Sequence, residues 1–267
     1  MKIAICFYGL VGGKSKKFGA GEQLDPREAF KYYDMNVFSQ AQNYDVFIHS
    51  QSFSAKEKLL EIYKPKSFLI EKRRNFTFHA IINYAFLRYI LSSFYKLIMN
   101  FFKKNKKEFQ IKNTFLRCKN NYSRWYSTKK SVELMYKYQK LNNFEYDLVL
   151  LTRLDVAFLT LFNFNKIDKN KMTVSHHNDI PGPRNNYKEE VKKNNRTSEK
   201  GLSDLWFLTN PKQMFEFSKL YDRLNQYLIS PHMSSYQHVN YLNLDLNFYK
   251  FRNIDFEPIR RINKSDE

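Results

Sequence analysis

At 267 residues with 43% hydrophobic side chains, the chain is long enough to bury a substantial core and too apolar for disorder. Its formal charge of +19 calls for an anionic partner: nucleic acid, a membrane surface or a phosphate-bearing substrate. Two cysteines, Cys6 and Cys118, exclude a disulfide framework and a four-thiolate metal site, and they fit a reducing cytoplasm.

The apolar stretch of "MKIAICFYGL" is too short for a signal h-region, and no small-residue cleavage site follows it. Its core, "KIAICFYG", reads as a buried strand. Five of the seven glycines then fall between Gly9 and Gly21. That concentration marks either a plain turn or a loop whose backbone approaches a ligand closely. "YGLVGGKS" comes near a P-loop, but the motif needs glycine at position 8, which is Tyr8. A kinase- or sulfotransferase-like transferase using this loop is therefore the weaker alternative.

"DPREAFKYYDMNVFSQAQ" reads as a helix with Asp25 as N-cap and Pro26 at its first position. "YDVFIHS" is a second buried strand, "SAKEKLLEIY" a helix ended by Pro65, and "KSFLIEK" a third strand. Strand, helix, strand, helix, strand opens an α/β fold with a mostly parallel, Rossmann-like sheet.

Residues 72–130 interrupt that rhythm with fifteen Lys or Arg and a single acid, Glu108. They read as a basic, aromatic helical insertion in one domain spanning 1–267, available for membrane or acceptor contact. Within 79–107, Arg88, Ser92, Lys96 and Lys103 share one helical stripe on an otherwise apolar or aromatic segment. Arg88 and Lys96 argue against a spanning helix. An interfacial helix fits, its apolar face in lipid and Lys103, Lys104, Lys106 and Lys107 at anionic headgroups. A core helix with one solvated stripe is the alternative. Because the charge surrounds an apolar helix and is not interleaved through a nucleic-acid module, no nucleic acid partner is expected.

"STKKSVELMYKYQKLNNF" predicts a helix capped by Ser127, followed by the strand "YDLVLLTRLDVAF". "KMTVSHHN" is a strand, and residues 179–201 form a polar loop. His176, His177 and Asp179 resemble a metal site in composition only, since adjacent strand residues point to opposite faces. "LSDLWFLT" is a strand, "NPKQMFEFSKLYDRLNQYL" a helix opened by Asn210 and Pro211, and "SSYQHVNYLN" a last helix.

The apolar run 146–158 ends in Arg153 and Asp155. A carboxylate at the carboxyl end of a buried strand can hold a divalent cation, and an arginine there can bind phosphates directly. A structural ion pair is the plainer alternative. In context, Tyr146–Asp147 followed by Arg153-Leu-Asp155 resembles the A-type nucleotide-sugar-dependent glycosyltransferases of bacterial capsule and lipooligosaccharide clusters. "GLSDLWFLTNPKQMFEFSKLY" resembles a second segment of that family, and "SPHMSSYQHVNYL" more loosely a third. The resemblance spans most of residues 1–245 outside the basic insertion. It departs from the family where Arg153 replaces the first Asp of Asp-x-Asp and where His232 stands in place of a frequent Glu.

The resemblance implies a sugar transfer from a nucleotide-sugar donor to a lipid-linked saccharide, at the cytoplasmic face of the inner membrane. It places donor binding on Arg153 and Asp155 and makes Asp204 the base facing the acceptor hydroxyl; Tyr8, Gly9, Gly12 and Gly13 in the loop after the first strand, and His49 at the end of the second, join the donor site by their position. Asp155 and His238 would be ligands of Mn²⁺ or Mg²⁺, although Arg153 in the first Asp position puts that cation in question. A non-catalytic protein that binds membranes or anions is the remaining alternative.

Overall fold

The computed structural model describes residues 1–13, 22–83, 86–87, 89–91, 106–176, 201–252 and 254–262, with backbone alone over 106–112. In β1 (Lys2–Gly9), Ile3, Ile5 and Phe7 enter one hydrophobic cluster, and Ala4, Cys6 and Tyr8 enter another. Alternate strand residues face opposite sides of a sheet. A strand covered on both faces therefore reads as a continuous apolar run.

β2 (Asn43–Ser50) and β4 (Leu148–Arg153) flank β1, both parallel to it. β3 (Ser67–Ile70) adds in parallel beyond β2. On the other side lie β7 (Trp206–Thr209), antiparallel to β4, then β6 (Met172–His176) and β8 (Leu246–Phe251). The order is β3-β2-β1-β4-β7-β6-β8, a seven-stranded, mostly parallel sheet with helices on both faces. The chain is thus α/β and compatible with a Rossmann-like arrangement. A separate antiparallel pair joins β5 (Val156–Phe158) to β9 (Phe256–Pro258).

α1 (Pro26–Asn36) begins as its sequence dictates: the Asp25 carboxylate accepts from the Arg27 amide at 3.0 Å and Pro26 opens the helix. α2 (Lys56–Tyr63) ends at Lys64, left-handed with φ 44°, immediately before Pro65. α1 and α2 cover one face of the sheet through Tyr33, Leu59 and Tyr63. α3 (Thr77–Ile81) is short.

The helix expected to start at Ser127 is longer. α4 runs from Lys106 to Leu141, 36 residues, through the carboxyl half of the basic insertion. Cys118, Tyr122, Trp125, Tyr126, Val132 and Met135 recur at helical spacing and are buried on the sheet's second face. Ser127 is therefore a mid-helix residue facing the sheet and not a cap. On the same face, α5 (Pro211–Ser218) is capped by Asn210, which accepts from the Gln213 amide at 2.9 Å. A 3₁₀ segment, Lys219–Gln226, replaces the rest of the helix expected there. α6 (Pro231–Tyr241) starts earlier than the sequence suggested.

β8 and β9 are absent from the sequence reading. β8 lies at the sheet edge, mostly half-buried, with Lys250 at φ 65°, so neither alternation nor a continuous apolar run marks it. α7 (Ile259–Ile262) follows β9 directly. Of the residues assigned to membrane contact, Arg88, Lys96, Lys103 and Lys104 lie outside the described residues, and Lys106 and Lys107 are described by their backbone only. His177, Asp179 and most of the polar loop also lie outside them.

Candidate functional site

A cavity of about 470 Å³ opens at the carboxyl ends of β1 and β4, where ligands bind in open α/β sheets. Five arginines line it: Arg73, Arg117, Arg124, Arg153 and Arg260. Among the described residues, Asp155 is the one carboxylate in the lining. Four elements distant in sequence deliver them. Arg153 ends β4, Arg117 and Arg124 project from α4, Arg73 follows β3, and Arg260 sits in α7.

The loop after β1 forms part of the wall. Gly9 has φ +93° and its amide donates to Ser127 Oγ at 2.8 Å. The Val11 amide donates to Ser52 Oγ at 3.2 Å, and Ser50 Oγ donates to the Gly9 carbonyl at 2.8 Å. Gly12 requires its glycine. At φ +97°, a Cβ would lie 3.1 Å from Asp155 Cβ and 3.0 Å from Leu24 Cδ1. The backbone thus rests on the Asp155 side chain, and Tyr8, Gly9 and Gly12 line the cavity. Gly13 bridges to Gln23 and is not part of the lining.

Arg153 and Asp155 form a bidentate pair, Nε to Oδ1 at 2.7 Å and Nη2 to Oδ2 at 2.6 Å. Asp155 is 2% exposed. The pairing β5–β9 brings Arg260 Nη1 to 3.7 Å from Asp155 Oδ2, and the Ile259 amide donates to the Asp155 carbonyl at 2.9 Å. Burial lowers the Arg153 pKa, but the Asp155 carboxylate outweighs it and leaves the group above its ordinary value. Arg124 is pushed down to about 10, first by burial and then by the charge of Arg153. Burial, then Arg153, lowers Arg260 as well. Of the three, only Arg153 has a carboxylate that more than offsets its burial; Arg124 and Arg260 stay below their ordinary values.

Asp204 is buried, and its carboxylate is ion-paired with Arg124. Arg124 Nη1 and Tyr8 Oη also donate to the Asp204 carbonyl, at 3.2 and 2.7 Å. His232 Nδ1 lies 3.6 Å from Asp204 Oδ1 and donates to the Leu202 carbonyl at 2.8 Å. Asp204 itself does not line the cavity, and it meets the site through Arg124.

His49 lies one layer behind the wall. Its Nδ1 is 2.7 Å from Ser127 Oγ and its Nε2 3.3 Å from Glu71 Oε1. Burial pushes its pKa down to about 4, so the ring is neutral and supports Ser127, which does line the cavity. His238 belongs to another cluster. Its Nδ1 meets Tyr227 Oη at 2.9 Å and its Nε2 the Glu216 carbonyl at 3.3 Å, partners it does not share with Asp155. Among the described residues, no group of three or more His, Cys, Asp or Glu could hold a metal ion.

Arg73, Arg117, Arg124 and Arg260 are absent from the sequence expectations. Their only sequence signal is the density of cations, which does not say which of them turn inward. No protein-family model matches the chain, and a search of curated proteins finds no match.

Proposed function

We propose that this chain is an A-type glycosyltransferase that moves a sugar from a nucleotide-sugar donor to a lipid-linked saccharide of capsule or lipooligosaccharide type. One observation carries the reading: the arginine-lined cavity at the carboxyl ends of the parallel strands, of a size for a small-molecule ligand. A departing nucleoside diphosphate needs cations, and preorganised guanidinium groups supply them where charge develops. Arg153 is the leaving-group stabiliser in this scheme. Asp204 is the candidate base for the acceptor hydroxyl, a role that requires its pair with Arg124 to open.

Residues 79–107 dock the enzyme on the cytoplasmic face of the inner membrane in the same proposal. Ile81, Ile82, Leu87 and Leu91, within that segment, are exposed apolar side chains, in support of it. Among the described residues, no helix is long and apolar enough to cross a membrane.

A thermal-shift screen against UDP-, GDP-, CDP- and ADP-sugars tests the donor assignment. One nucleotide series is expected to raise the melting midpoint of the wild type, and Arg153→Gln to abolish the shift. A midpoint that none of these sugars moves contradicts the proposal.

A further inference from the structure

The resemblance to Asp-x-Asp transferases implies a divalent cation on Asp155, and the residues around Asp155 do not fit one. Mg²⁺ and Mn²⁺ favour a near-octahedral set of oxygen ligands with free lone pairs. Both Asp155 oxygens are already engaged by the Arg153 fork, with Arg260 at 3.7 Å on the second. The place of the first acid is held by Arg153, a cation. His238 turns both ring nitrogens to Tyr227 and Glu216. An added dication would sit against guanidinium groups with few oxygens to compensate.

The same geometry suits an anion directly. Arg124, Arg153 and Arg260 face two carboxylates, Asp155 and Asp204, which leaves one positive charge in the inner cavity. Arg73 and Arg117 have no carboxylate partner among the described residues and raise the excess to three. Arg153 spends its Nε and one Nη2 hydrogen on Asp155, so other N–H groups of its planar fork stay available to a ligand.

We infer that the cavity holds the diphosphate of its ligand on the guanidinium groups of Arg124, Arg153 and Arg260 without a divalent cation. Asp155 acts as a fixed counter-charge that aligns Arg153 and Arg260. The inference rests on reading the cavity as a nucleoside diphosphate site, and it names what replaces the metal there.

Titration calorimetry with inorganic pyrophosphate, in EDTA and in Mg²⁺, tests it on the full chain. Binding in EDTA should be at least as tight as in Mg²⁺ and should weaken with added salt. Arg260→Gln, at a partly exposed position, should weaken it about tenfold or more, the usual effect of losing one charge-assisted hydrogen bond. Asp155→Asn keeps the side chain's shape and should still bind pyrophosphate in EDTA. Binding that appears only with Mg²⁺ and vanishes in Asp155→Asn overturns the inference and leaves the diphosphate reading standing. Full affinity in Arg260→Gln, with the wild-type melting midpoint retained, removes the arginine assignment. Absence of binding in both buffers overturns the inference and the diphosphate reading together.

Discussion

Asp204 has two ways to matter, and its contacts separate them. As a base it would touch the acceptor; through its pair with Arg124 it would set the position of a cavity cation. Asp204→Asn is expected to lower turnover about 10²–10⁴-fold with donor affinity unchanged if it is the base. Donor affinity lost along with turnover assigns it to positioning Arg124. Gly201 secures this loop. At φ +85°, a Cβ would sit 2.3 Å from the His232 carbonyl oxygen, and the Leu202 amide donates to that oxygen at 3.0 Å. Gly201→Ala should destabilise the fold by on the order of 1–3 kcal/mol, measured by urea unfolding. His49 and His238 set a pH dependence. Each titrates near 6.5 in an unfolded chain and near 4 here, both because of burial. Below pH 6.5 the unfolded chain binds protons that the folded one refuses. Their contribution is complete above pH 6.5 and declines toward pH 4, at most about 1.4 kcal/mol per pH unit for each group. His238→Gln should flatten the fall of the melting midpoint over that range; a slope as steep as the wild type's would contradict it.

At the level of elements, burial on both sheet faces made β1, β2 and β4 legible as apolar runs, and caps at Asp25 and Asn210 marked two helix starts. The Arg153–Asp155 pair was legible for the related reason that charge ends an apolar run abruptly. Of α4 only the part after Ser127 was legible as a continuous helix, because Lys and Arg on its outer side mask the stripe from Cys118 to Met135 that packs on the sheet. Trp125, fully buried against Phe207 and Phe217, tests that packing. Trp125→Ala should destabilise by about 3–5 kcal/mol, whereas a value near zero would detach the helix from the core. Most of the cationic site was hidden for tertiary reasons. Arg124 is one cation among many on α4, and Arg260 reaches Asp155 only because β9 pairs with β5, a pairing that edge-like sequence does not announce.

Across the whole molecule, the charge of +19 concentrates in the basic stretch at 72–130, which also supplies Arg73, Arg117 and Arg124 to the cavity. If the stretch docks on anionic lipid, Lys103, Lys104, Lys106 and Lys107 each add roughly 1 kcal/mol near the surface. Changing all four to Gln should release the protein from anionic liposomes at moderate salt. Co-sedimentation as before would assign the stretch to some other role.

The cavity as a nucleoside diphosphate site is the point on which the rest depends. Equilibrium titration of the wild type with UDP, GDP, CDP and ADP beside their parent nucleosides addresses it directly. One diphosphate should bind far more tightly than its nucleoside, by at least the roughly tenfold that a single charge-assisted contact provides, and Arg153→Gln should erase the difference. A nucleoside that binds as well as its diphosphate, or four diphosphates that do not bind, would contradict it.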